Sequence, residues 1–137
     1  MVRDRYEGIQ TVLKKCGESG CLFLSVLSIA EEVADISFDL INTVHICLRK
    51  KWITDDFECL DSLAILNYLT DKVWTRREVT CLTEDVAYNE YTVANYFNPR
   101  TGIIHRRRRG YDTIKNSVTV REGSILTYYI YRWEEIA

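Results

Sequence analysis

Apolar residues recur at helical spacing in the first half of the chain. From Cys21 to Asp35 they return every three or four positions, which predicts an amphipathic helix beginning just after Gly20. Two further helical patterns cover Phe38 to Lys50 and Ser62 to Thr70, and Asp61 precedes the second of these as a typical N-cap residue. The pattern therefore predicts a helical N-terminal half.

The period of the pattern changes after about position 90. Turn residues separate five segments that are rich in β-branched and aromatic side chains: Tyr91 to Phe97, Gly102 to Arg107, Tyr111 to Ile114, Ser117 to Arg121 and Ile125 to Trp133. Short connections between consecutive strands favour antiparallel pairing. In the last segment Tyr129, Tyr131 and Trp133 share one face, which we expect to pack on the helices, and Tyr128 points the other way. The sequence predicts an α+β protein with N-terminal helices packed on a C-terminal antiparallel β-sheet.

Length and composition agree with one folded domain. The chain has 137 residues, of which 47% are hydrophobic and 28% charged, and this excludes the disordered and low-complexity classes. We expect a single domain over residues 1–137, with an N-terminal arm or helix at 1–18, a helical half at 19–70 and the sheet at 91–134. The five cysteines are scattered without a Cys-x-x-Cys pair, which argues against a disulfide framework or a zinc site. We therefore expect a reduced, cytoplasmic protein that binds no metal, cofactor or membrane.

The net charge of −2 conceals a strongly basic segment. Residues 99–121 contain seven basic residues and one acid, whereas the rest of the chain contains eleven basic and nineteen acidic residues. Four of the basic residues are consecutive: Arg106, Arg107, Arg108 and Arg109. Such a run is most simply a solvated hairpin tip, but guanidinium groups also suit phosphates or an acidic protein surface, and Tyr111 adds a ring for stacking on a base.

Three residues have the types and order of a cysteine-based catalytic triad. Cys21 lies at the predicted N-terminus of the first helix, where the helix dipole favours the nucleophilic thiolate. His105 lies in a predicted strand, and a two-residue turn at Arg108 and Arg109 makes Asp112 its cross-strand neighbour. An acid at that position can orient the imidazole and stabilise its charged form. The other histidine, His45, lies within the second helical pattern, and we interpret it as structural.

Four short segments carry a more specific resemblance, which extends over roughly Gly20 to Arg132. They are Gly20 to Ser25, Lys51 to Ile53, Asn98 to Gly102 together with His105, and Ser117 to Gly123. In order and spacing they resemble a family of small proteins of unknown function from phages, prophages and spirochaete plasmids. That family is itself similar to the papain-like bacteriocin-processing peptidases.

The resemblance implies a papain-like cysteine hydrolase, or a degenerate relative, that acts on a peptide or amide bond. It implies that Cys21 is the nucleophile, His105 the general base and Asp112 the orienting acid. A phage origin also suggests a different function in the host cytoplasm. The chain is then a non-catalytic inhibitor of host defence whose arginine-rich hairpin binds nucleic acid, or an acidic host protein.

Two features of the sequence depart from this resemblance. Papain-like enzymes place a glutamine a few residues before the nucleophile, and Gln10 has that spacing from Cys16 rather than from Cys21. Cys16 is thus a rival nucleophile, although Cys21 fits the helix and the small-protein family better. The run of arginines after His105 is a further departure, because four charges do not suit a buried central strand. We expect the strand to leave the core just after His105, or His105 itself to lie near solvent.

Overall fold

The computed structural model describes residues 20–82, 85–108 and 123–136. Within these ranges the chain forms three helices followed by one four-stranded antiparallel sheet, which confirms the predicted α+β class. The helices are α1 (Cys21–Ala34), α2 (Leu40–Arg49) and α3 (Ser62–Thr70), and the strands are β1 (Val73–Val79), β2 (Glu90–Asn98), β3 (Ile103–Arg108) and β4 (Ser124–Glu134). None of the helices in the described ranges is long and apolar enough to cross a membrane.

Short polar residues set the ends of the helices. The side chains of Asp39 and Asp61 each accept a hydrogen bond from a backbone N–H in the first turn of α2 and α3. Asp35 and Asp71 adopt the left-handed conformation and end α1 and α3. The predicted limits of α3 are confirmed. α2 begins two residues later than predicted, because Asp39 takes the N-cap position.

The sheet has the strand order β1–β4–β2–β3, so β3 lies at one edge of the described sheet. The sequence analysis identified β2, β3 and β4 to within about one residue at each end. It missed β1, whose charged centre at Arg76, Arg77 and Glu78 conceals a strand that pairs along β4. The two predicted strands between Tyr111 and Arg121 lie outside the described residues.

The core fills the space between α1, α3 and one face of the sheet. Phe23, Val26 and Ile29 of α1 are fully buried, and α1 packs against α3 and β3. Tyr131 is also fully buried, and its hydroxyl donates a hydrogen bond to Ser62 Oγ at 2.9 Å. Tyr129 and Trp133 pack against the same core, which confirms the predicted face of β4. This packing fixes the N-terminal end of α1 beside β3.

Candidate active site

Cys21 is the first residue of α1, and it lies against β3, at one edge of the described sheet. The backbone N–H of Arg106 donates a hydrogen bond to Cys21 Sγ, with an N···S distance of 3.4 Å. Gly20 takes the N-cap position, where it has no side chain with which to cover the first N–H groups of the helix. The sulfur is therefore held at a helix N-terminus by a main-chain donor from the sheet.

His105 is the second member of the site. Its side chain is buried, with 3% of its surface exposed, and it forms a side-chain hydrogen bond with the Cys21 thiol. The two residues are 84 positions apart in the sequence, and the packing of α1 on β3 brings them together. The predicted pair of a helix-borne cysteine and a strand-borne histidine is thus formed.

The surroundings of Cys21 favour its thiolate. Burial raises the pKa of the thiol, but the hydrogen bond from His105, the backbone N–H of Arg106 and the positive charges of both residues lower it more. The pKa of Cys21 is consequently below its ordinary value of 9.0. A thiolate paired with an imidazolium is the nucleophilic form of a cysteine.

The other described cysteines lack this environment. Burial raises the pKa of Cys47 to about 11 and that of Cys59 to about 12, and Cys81 is exposed. His45 lies exposed on α2, not in the core. Within the described ranges no three His, Cys, Asp or Glu side chains converge as metal ligands would.

The arginine run continues the strand, and does not end it. The expectation that His105 lies near solvent is wrong, because its side chain is buried. The alternative, that β3 leaves the core just after His105, agrees with the burial of the strand, since β3 extends to Arg108 but its three arginines are only half-buried. The charges are accommodated because β3 lies at one edge of the described sheet and its three arginines are only half-buried. Arg106 and Arg108 reach the helix side of the sheet, and Arg107 lines a depression on the other side with Tyr96, Ile125 and Tyr128.

Arg108 fastens α1 to β3. Its guanidinium donates to Ser28 Oγ at 2.7 Å and to Glu32 Oε2 at 2.6 Å, and it lies 5.3 Å from the centre of the Tyr91 ring. Ser28 and Glu32 are one turn apart on α1. This contact and the Cys21–Arg106 hydrogen bond together fix α1 on β3 at two points along the helix.

Several predicted site residues lie outside the described residues. Asp112, the predicted orienting acid, is one of them, and so are Arg109 and Tyr111 of the basic segment and the alternative pair Gln10 and Cys16. Their roles stay predictions.

The sequence patterns did not predict that Arg76 lies on the same ring as Arg106. Arg76 of β1 and Arg106 both lie over the ring of Tyr129, at 4.3 and 6.0 Å from its centre. A signal was present in the sequence, since Arg76 occurs in a segment bounded by Val73, Trp74 and Val79, residue types that favour strands. Because β1 was not predicted, the position of Arg76 beside Tyr129 was not predicted either.

Comparison with known proteins adds no neighbour to this description. No family model matches the chain, and no curated protein or solved structure matches it.

Proposed function

We propose that this protein is a papain-like cysteine hydrolase that cleaves a peptide or amide bond, with Cys21 as nucleophile and His105 as general base and acid. The observation that carries the proposal is the hydrogen bond between the Cys21 thiol and the His105 imidazole at the N-terminus of α1. A cysteine at a helix N-terminus beside a histidine on an antiparallel strand is the arrangement expected of such an enzyme.

The pair supplies the chemistry in two stages. In the first, the Cys21 thiolate attacks the carbonyl carbon, and collapse of the tetrahedral intermediate breaks the C–N bond as protonated His105 gives its proton to the leaving amine. This leaves a thioester on Cys21 and a neutral imidazole. In the second, His105 takes a proton from water as the oxygen attacks the thioester, and cleavage of the C–S bond releases the acid and restores the thiolate.

The start of α1 also suits the negative charge that develops on the carbonyl oxygen. The first N–H groups of a helix have no acceptor within the helix, and among the described residues Leu24 is the first of α1 whose N–H donates back, to Gly20 O at 2.8 Å. N–H groups before that position point toward the end of the helix where Cys21 lies. They are the candidates for oxyanion donors, a role for which the sequence also offers Gln10.

The contacts of the arginine run give less support to the alternative function of a nucleic-acid-binding or acidic-protein-binding inhibitor. That function needs guanidinium groups turned outward to a partner. Arg108 is instead engaged with Ser28 and Glu32. The same contacts support the catalytic proposal, because they hold α1 and β3 together around Cys21 and His105.

The proposal is tested first by the reactivity of the cysteines at neutral pH. We expect iodoacetamide to alkylate Cys21 at least about tenfold faster than Cys59, as measured site by site by peptide mass spectrometry. Cys59 is a matched internal control because it too is half-buried. Equal or slower alkylation of Cys21 would contradict the proposal.

Turnover is tested separately with a set of fluorogenic peptide amides. We expect hydrolysis by the native chain and none by the Cys21→Ser variant. A reactive Cys21 without turnover of any member of the set would favour the degenerate relative over the active hydrolase.

A further inference from the structure

Two arginines share one aromatic ring on the helix side of the sheet. Arg76 lies on β1, Tyr129 on β4 and Arg106 on β3, and β4 lies between the two outer strands in the sheet. The guanidinium carbons of Arg76 and Arg106 are 4.3 and 6.0 Å from the centre of the Tyr129 ring. Both guanidinium groups are thus within the range of a cation–π interaction with this ring.

Neither arginine has a carboxylate partner among the described residues. Arg77, Arg108 and Arg132, by contrast, each lie within 2.8 Å of a glutamate oxygen. Arg76 forms a hydrogen bond with the Tyr131 hydroxyl, and Glu78 attracts it without forming an ion pair. The Nε–H of Arg106 is buried and has no acceptor within the described ranges. Neither guanidinium group is thus in an ion pair with a described acid, although Glu78, which lies opposite Tyr129 in the pairing of β1 with β4, attracts Arg76.

One member of the pair, Arg106, lies next to Cys21. The backbone N–H of Arg106 donates to Cys21 Sγ, and the charge of its side chain also acts on Cys21. Arg76 is exposed at the surface, and Tyr129 and Arg106 are half-buried. Arg106 therefore connects the position of Cys21 with the Tyr129 ring, beside which Arg76 lies.

We propose that Arg76, Arg106 and Tyr129 form a carboxylate-binding subsite beside Cys21, and that the substrate is a peptide or amide with an acidic group close to the bond that is cut. The inference rests on the proposed hydrolase function. Guanidinium groups pair with a carboxylate through two parallel hydrogen bonds, and the aromatic ring holds both cations in place. The carboxylate belongs to an acidic side chain or to the C-terminus of a peptide.

Three probes with the same electrophile test this subsite. They are N-bromoacetyl-glutamic acid α-amide, which carries a side-chain carboxylate, N-bromoacetyl-glycine, which carries a terminal one, and the neutral N-bromoacetyl-glutamine α-amide. In each reaction the Cys21 thiolate forms a bond to the methylene carbon and bromide leaves. Rates at Cys21 are measured by peptide mass spectrometry and divided by the rates of the same probes with free cysteine.

We expect at least one acidic probe to alkylate Cys21 about threefold or more faster than the neutral probe, after division by the rates with free cysteine. This gain in rate should fall at high salt. The faster acidic probe identifies the source of the carboxylate. The Arg76→Gln variant should lose most of the gain. Arg77→Gln removes the same charge from the next residue, on the opposite face of β1, and should retain it.

The two proposals fail in different ways. If Cys21 reacts faster than Cys59 but does not prefer either acidic probe, the subsite is wrong and the hydrolase proposal stands. A gain that Arg76→Gln and Arg77→Gln reduce equally also overturns the subsite, because it reflects net charge alone. If Cys21 reacts no faster than Cys59 with any probe, both proposals are overturned.

Discussion

Cys21 and Cys59 are half-buried thiols of one small protein with opposite acidity. Burial is the largest influence on both, and it raises the pKa of each. At Cys59 burial prevails, and the pKa rises to about 12. At Cys21 a hydrogen bond from His105, a main-chain donor and two positive charges reverse the effect, and the pKa falls below 9.0.

Polar partners, and not exposure, account for the opposite shifts in the pKa of these two thiols. Arg106 acts on both sulfurs, so its charge alone does not account for the difference. His105 forms a hydrogen bond with Cys21 and is absent from the influences on Cys59. His105 is therefore the first residue to substitute.

The largest expected effect is that of His105→Ala. Without the imidazole, two influences that lower the pKa of Cys21 are lost while burial still raises it, so the pKa of Cys21 should rise. Alkylation of Cys21 by iodoacetamide at neutral pH should fall by about tenfold or more, and turnover of any amide substrate by about a hundredfold or more. The measurement is the dependence of the Cys21 alkylation rate on pH.

His45→Ala is the control for this variant, since it removes the other histidine from the exposed face of α2. It should leave the alkylation rate of Cys21 at the native value. An unchanged rate in His105→Ala would show that the two cysteines differ for another reason.

The second prediction concerns the pH dependence of stability. The pKa of Cys59 is raised in the folded protein, so above pH 9 an unfolded chain releases this proton while the folded chain keeps it until about pH 12. The free energy of unfolding should therefore fall as pH rises from 9, at up to about 1 kcal/mol per pH unit from this thiol. In Cys59→Ala, urea unfolding in reducing buffer at several pH values should show a shallower fall.

Cys21→Ala should act in the opposite sense. The folded protein releases the Cys21 proton first, at a pH below 9.0, so this thiol adds stability as pH rises from its folded pKa toward 9.0 and loses it on acidification. The Cys21→Ala variant should lack that rise. If the free energy of unfolding changed with pH at the same slope in Cys59→Ala and Cys21→Ala, the two thiols would not differ in acidity.

Much of this arrangement follows from the sequence because it depends on local patterns. Helical spacing located α1 and α3, aspartate N-caps marked the starts of α2 and α3, and the helix N-terminus singled out Cys21. His105 was found because histidine is scarce in this chain and its strand is bounded by clear turns.

What the sequence did not reveal depends on contacts between distant segments. A strand that carries Arg76, Arg77 and Glu78 in succession has no apolar alternation, and only pairing with β4 identifies it as β1. Arg108 looked like part of a solvated tip because its partners, Ser28 and Glu32, precede it by 80 and 76 residues. The sharing of Tyr129 by Arg76 and Arg106 depends on the strand order β1–β4–β2–β3, which local patterns do not determine.

A smaller effect is expected where Arg108 holds α1 on β3. Glu32→Gln removes the charge that pairs with Arg108, whose side chain is 14% exposed, and should lower the free energy of unfolding by about 1 kcal/mol. Because the same contact fixes the position of α1, the alkylation rate of Cys21 should fall as well. Urea unfolding and alkylation kinetics measure the two effects.

Glu134→Gln is the matched control, since it breaks the Arg132–Glu134 pair, which has a similar length but two exposed partners. It should lower the free energy of unfolding by less than about 0.5 kcal/mol and leave the alkylation rate of Cys21 unchanged. If both variants lose the same stability and Cys21 keeps its rate in both, Arg108 does not position the helix.

The smallest predicted effect is at Cys59 itself, in the variant Asp61→Asn. The carboxylate of Asp61 opposes a thiolate at Cys59, so removing its charge should lower the pKa of Cys59 slightly. Asparagine keeps an oxygen that can accept from the Ala64 N–H, so α3 should keep its cap. The alkylation rate of Cys59 at pH 9 should rise by about twofold or less, whereas Asp39→Asn at the start of α2 should not change it. Because Cys59 should stay far slower than Cys21 even then, a variant that brought the two rates together would show that a nearby acid, and not the absence of a histidine, keeps Cys59 inert.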